Sequence, residues 1–114
     1  MRQLMAAIGC AAAFLSASAY AGVDGANGRK IVDIGCHNVD GTCFVTLSGA
    51  AFGASMGCGG ATNEFRFDNG DTAIGRRSYA SLLAAYLAGK TISVYLDGCT
   101  GQNMPALRYF HIND

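Results

Sequence analysis

The 114-residue chain has no excess charge of either sign, with eight Lys or Arg against eight Asp or Glu. Taking away Arg2 with the first 21 residues leaves seven basic and eight acidic side chains. Such a chain lacks the basic face that phosphate contacts require, which argues against a nucleic-acid partner. Glutamate is nearly missing, since Glu64 stands alone. A glycosidase pair would need an Asp such as Asp68 as its second carboxylate. Four residues of strand would hold the two about 13 Å apart, too far for that chemistry. No Cys-x-x-Cys pair is present, so the cysteine spacings do not suit zinc. The glycine-rich run 49–61 lacks the lysine and following Ser or Thr of a phosphate loop. The acidic stretch 68–72 lacks the ligand order and closing Glu of a calcium loop. No apolar run reaches the roughly 20 residues that span a bilayer.

The first residues suggest export. Arg2, an apolar segment from Leu4 to Leu15 and the small-x-small ending Ala19-Tyr20-Ala21 read as a signal peptide over 1–21, with the mature chain starting near Gly22. The competing reading is a membrane anchor, but the apolar core is shorter than the roughly 20 residues that span a bilayer and rich in small residues. A third is lipidation at Cys10, which lies too early, with apolar sequence continuing past it. Residues 22–114 are expected to form one disulfide-stabilised domain. A domain of this size buries only about two thirds of its unfolded surface, so covalent support helps.

Cys36, Cys43, Cys58 and Cys99 remain after cleavage, an even set in an oxidising compartment. Four cysteines allow three connectivities. The expected one joins Cys36 to Cys43 and Cys58 to Cys99, because the first two bracket the turn between adjacent strand-like runs. On the chain-entropy model these closures contribute about 2.5 and about 4 kcal/mol.

Along the chain, 22–28 reads as a loose lead and Arg29 to Cys36 as a first strand. Cys43 to Ser48 follows as a second, and Glu64 to Asp68 as a third. The intervening 49–61 reads as a glycine-rich loop anchored by Cys58. Asp71 or Thr72 is placed to cap a helix from about Ala73 to Ala88, with Tyr79, Leu82, Leu83, Tyr86 and Leu87 as its buried stripe. Gly75 would cost that helix about 1 kcal/mol relative to alanine. Gly89 stops it, and Lys90 lies near the negative end of the dipole. Thr91 to Asp97 and Ala106 to Ile112 complete the strands. The order β-β-β-α-β-β predicts a mainly β fold with one helix, a small five-stranded barrel.

No catalytic constellation emerges. With the cysteines oxidised no thiolate is left to pair with His37 or His111, and Ser78 and Ser81 near Arg77 have no base in view. The chain therefore reads as a non-enzyme, with no cofactor or metal expected. Its polar and aromatic inventory suits carbohydrate binding, with aromatic faces against sugar rings and amides or guanidinium against hydroxyls. Asn63, Arg66, Tyr95, Gln102 and Asn103 are the candidate ligand-binding residues, with Tyr109 beside them.

The segment Ser78-Tyr79-Ala80-Ser81-Leu82-Leu83-Ala84-Ala85-Tyr86-Leu87-Ala88-Gly89-Lys90-Thr91-Ile92-Ser93-Val94-Tyr95 places a helix with paired leucines, a glycine stop and a strand in succession. With the leader, the size and the cysteine-stabilised strand order, it resembles the B subunits of bacterial five-B-subunit toxins, in the branch of the subtilase cytotoxin and the pertussis-like typhoid toxin. It is also similar to small exported bacterial proteins of unknown role. The resemblance covers about Ile31 to Ile112. It implies an OB-fold, a ring homopentamer and glycan recognition, with no sugar-contacting residue carried over. The expected function is a secreted or periplasmic glycan-binding module. The alternative is a non-enzymatic interaction or inhibitor protein that meets an envelope or host protein.

Overall fold

The computed structural model describes residues 22–113, so the expected signal peptide and Cys10 lie outside the described residues. The fold is mainly β with one α-helix: β1 (Val23–Cys36), β2 (Cys43–Leu47), β3 (Glu64–Phe67), α1 (Ala73–Ala88), β4 (Thr91–Cys99) and β5 (Pro105–Asn113). A 3-10 turn over Ala54–Met56 lies between β2 and β3. That turn is a departure from the expected order.

Alternation builds the core. β2 buries Cys43, Val45 and Leu47, β3 buries Phe65 and Phe67, and β4 buries Ile92, Val94 and Leu96. Their intervening residues face outward, as the two-residue period of a strand demands. These side chains meet Ala26 and Ile31 of β1 in one cluster. The strands form a closed ring in the order β1-β2-β3-β5-β4, with β1 paired to both β2 and β4. Neighbours are antiparallel except β3 and β5, which run parallel and share the single register pair Arg66–Ala106. That seam is the thinnest part of the ring.

The structure corrects the lead over 22–28. Val23 to Ala26 pair with Asp97 to Val94 of β4, so β1 begins at Val23 rather than at Arg29. Main-chain pairing makes this strand, and it needs little from side chains. The Asp24 carboxylate also accepts hydrogen bonds from the main-chain N–H of Gly25 (2.8 Å) and Gly53 (2.7 Å), tying the strand to the connector.

The glycine-rich connector is likewise more than a surface loop. Phe52 bridges to Thr62, and Phe52, Met56 and Cys58 all enter the core. Gly53 (φ 82°) and Gly57 (φ 78°) flank the 3-10 turn in left-handed conformation, which reverses the chain sharply enough to drop Met56 inward against β1 and β4.

Helix α1 spans the expected residues, and Thr72 is the cap: its Oγ1 accepts from Gly75 N–H at 3.1 Å and donates to the Asn69 carbonyl at 2.7 Å. Gly89, at φ 67°, ends the helix, and the Lys30 ammonium donates to its carbonyl from β1. The buried stripe differs from the expected one. Gly75, Leu82 and Ala85 are buried, Tyr79 and Leu83 are half-buried, and Tyr86 and Leu87 are exposed, Leu87 by 74%. At Gly75 the helix lies directly against the main chain of the 69–70 turn, and farther along Leu82 and Ala85 make the inner face.

Both disulfides have the expected pairing. Cys36 and Cys43 are direct cross-strand partners in β1 and β2, and Cys58 of the connector joins Cys99 at the end of β4. Two formed disulfides are consistent with an oxidising compartment. No described helix is long and apolar enough to cross a membrane.

Candidate functional site

The outer face of β4 and β5 gathers the aromatic side chains. Because Ile92, Val94 and Leu96 point inward, Ser93 and Tyr95 point outward, and the register sets Tyr95 opposite Tyr109 and Ser93 opposite His111. The two tyrosine rings stack with centroids 5.0 Å apart and planes 12° from parallel. The His111 ring meets Tyr109 edge-on at 5.7 Å. Tyr109 stays 52% exposed. Aromatic pairs in this geometry hold each other rigid while offering an apolar face to a ligand.

A concavity of about 270 Å³ opens beside the stack, lined by Gly25, Asn27, Ser93, Tyr95, Tyr109 and His111. Gly25 sits opposite Tyr95 on β1, and a Cβ there would come 3.1 Å from the Val94 carbonyl. The missing side chain leaves the slot next to the ring. A register shift between Ala26 and Arg29, with Gly28 at φ 61°, kinks β1 beside Asn27. Ser93 Oγ accepts from Gly28 N–H at 3.0 Å and donates to the Asn113 side-chain oxygen at 3.3 Å, which locks this rim.

A second cavity, about 360 Å³, lies at the β3–β5 seam under the N-terminal half of α1. Its wall includes Phe67, Ile74, Leu107 and Phe110, and its polar groups come from Asn69, Arg77, Ser78, Ser81 and Arg108. Tyr109 borders both cavities, so they are neighbours on the surface.

Of the residues expected to bind ligand, the structure brings Tyr95 and Tyr109 together. Neither cavity is lined by Asn63, Arg66, Gln102 or Asn103. The Asn63 amide donates to the carbonyls of Leu47 (3.2 Å) and Gly49 (2.9 Å), holding the connector to β2. Arg66 donates from Nε to the Glu64 carboxylate at 2.7 Å. Gln102 donates to Thr42 Oγ1 at 3.2 Å, and Asn103 turns the β4–β5 loop at φ 60°. His37 lies apart from the face, 3.7 Å from the Asp40 carboxylate and tilted on Phe44. Among the described residues no group of three or more His, Cys, Asp or Glu is arranged to hold a metal ion.

Sequence reasoning missed Asn27, Asn69 and Arg108 as site residues. The alternation of β4 and β5 was a usable signal, since an antiparallel pair that sets Tyr95 against Tyr109 also sets Ser93 against His111. No family model, curated protein or solved structure matches the chain.

Proposed function

We propose that the chain is an exported, non-enzymatic binding module of OB-fold-like barrel architecture whose ligand is a glycan. The stacked Tyr95–Tyr109 pair beside the Gly25 slot carries this reading. A pyranose ring presents C–H groups on one face and hydroxyls around its edge. A rigid aromatic wall bordered by Asn27, Ser93 and His111 offers both kinds of contact. The two disulfides support a secreted or periplasmic setting.

Glycan-array binding by the oxidised protein, repeated with Tyr95→Ala and Tyr109→Ala, tests the reading. The tyrosine variants should lose about tenfold or more in affinity at unchanged melting temperature. Equal binding by all three proteins would refute it. Light scattering tests the ring arrangement, which requires a mass of five copies at low and high concentration; a strict monomer would remove it.

The exposed Tyr86 and Leu87, adjacent at the end of α1, favour a second reading, an interaction protein that meets an envelope or host protein through the helix. Capture of one protein at one-to-one stoichiometry, blocked by Leu87→Lys, would favour it over the glycan.

A further inference from the structure

We infer that the cavity between α1 and β5 binds a tetrahedral oxyanion, so that the glycan taken on the tyrosine face carries a sulfate or phosphate ester. The identity of the carrier rests on the glycan reading; the anion site does not.

Two guanidinium groups, Arg77 from the helix and Arg108 from the strand, line this cavity, and no carboxylate does. Neither arginine has a hydrogen-bond or ion-pair partner among the described residues, whereas Arg29, Arg66 and Arg76 are each held by a carbonyl or carboxylate. With two guanidinium groups and no carboxylate in its lining, the cavity carries positive charge that nothing in the lining balances, which favours an anion. The hydroxyls of Ser78 and Ser81 line the same cavity and also have no partner among the described residues.

The donor supply points to a tetrahedral group. Each guanidinium presents a planar fork of N–H donors, and each serine adds one O–H. A sulfate or phosphate ester has three free oxygens to accept from both forks and the hydroxyls at once; a carboxylate has two. A cavity of about 360 Å³ exceeds a bare oxyanion, and Ile74, Leu107 and Phe110 line its apolar part. The ester's carrier would lie there and continue over Tyr109, the residue shared with the tyrosine face.

The test is calorimetric titration of the oxidised protein with sugars that share one backbone: neutral, 6-sulfated, 6-phosphorylated and 6-carboxylated. Inorganic sulfate and phosphate are titrated separately. Wild type is compared with the Arg77→Gln/Arg108→Gln double variant, whose two positions are exposed and whose fold is checked by melting temperature. One or both esters should bind about tenfold or more tighter than the neutral parent. The gain should vanish in the double variant and shrink with added salt. Which ester gains distinguishes sulfate from phosphate. Equal binding of neutral and esterified sugars overturns the anion site and leaves the glycan reading standing. An equal, arginine-dependent gain from the carboxylated sugar overturns the tetrahedral preference. Arginine-dependent binding of the inorganic ions with no sugar bound upholds the anion site and overturns its saccharide carrier. Binding of nothing overturns both.

Discussion

Replacing Gly75 by alanine should destabilise the protein, against the usual sign for a helical glycine. Alanine ordinarily gains about 1 kcal/mol at such a position, because glycine gives up more backbone freedom on folding. At Gly75 a Cβ would fall far inside contact with the Asn69 carbonyl and 2.8 Å from the Gly70 nitrogen. All of these are main-chain atoms, so no flexible side chain can swing away. Relief requires α1 to lift from the 69–70 turn, which lengthens the 3.1 Å cap bond from Gly75 N–H to Thr72 Oγ1. Overpacking costs typically 1–3 kcal/mol and more against backbone, and a weakened cap adds about 1 kcal/mol. Subtracting the propensity gain leaves a net loss of about 2 kcal/mol. For a domain of this size that lowers the melting temperature by about 10 °C. Thermal and urea unfolding of the oxidised variant measure it, with Ala84→Gly at an exposed helical position as the control, expected to lose about 1 kcal/mol. If Gly75→Ala melted at or above wild type, the close approach of helix and turn would be refuted.

Leu82→Ala should cost about 3 kcal/mol, because Leu82 is fully buried, while Leu87→Ala should cost less than about 0.5 kcal/mol. Equal losses in urea unfolding would restore the stripe expected from spacing. Removing Cys58–Cys99 as a double alanine variant should cost about 4 kcal/mol and removing Cys36–Cys43 about 2.5 kcal/mol, since the loops close 41 and seven residues along the chain. The reverse order of urea midpoints would contradict the loop-length argument. The Thr42 main-chain N–H, donating at 3.0 Å, holds the Asp40 carboxyl below its ordinary 3.8. A depressed carboxyl stabilises the fold above its unfolded value and loses that contribution as pH falls through the lower folded one. Asp40→Asn should therefore flatten the pH dependence of unfolding below about pH 4, and an unchanged slope would count against it.

What the sequence revealed was whatever rests on local pattern. The limits of α1, its glycine stop and the alternation of β2 and β4 depend on residues within a few positions of one another. The disulfide pairing followed from strand adjacency. The first half of β1 was hidden, because its partner lies about 70 residues away and glycine and alanine give no alternation to read. Met56 was hidden because left-handed glycines, not periodicity, turn it into the core. The helix stripe was displaced because hydropathy favours Tyr86 and Leu87, while close packing selects Gly75 and Ala85. At the site, Tyr95 and Tyr109 could be read as exposed aromatics. Asn63 and Arg66 looked equally available, since nothing in sequence shows that Leu47, Gly49 and Glu64 already engage them.

The double pairing of β1 sets an order of events as the chain folds. Its second half needs only β2, seven residues beyond, whereas its first half must wait for β4. Contacts so unequal in separation form at unequal rates, because each longer loop costs more entropy to close. A chain emerging N-terminus first can complete the β1–β2 hairpin and oxidise Cys36 with Cys43 while the rest is still unfolded. It cannot close the ring until β5 has emerged, and until β4 arrives the β1 edge that awaits it stays open to other strands. Between the two oxidations the chain presents an unpaired strand edge, the condition under which strands of separate chains associate.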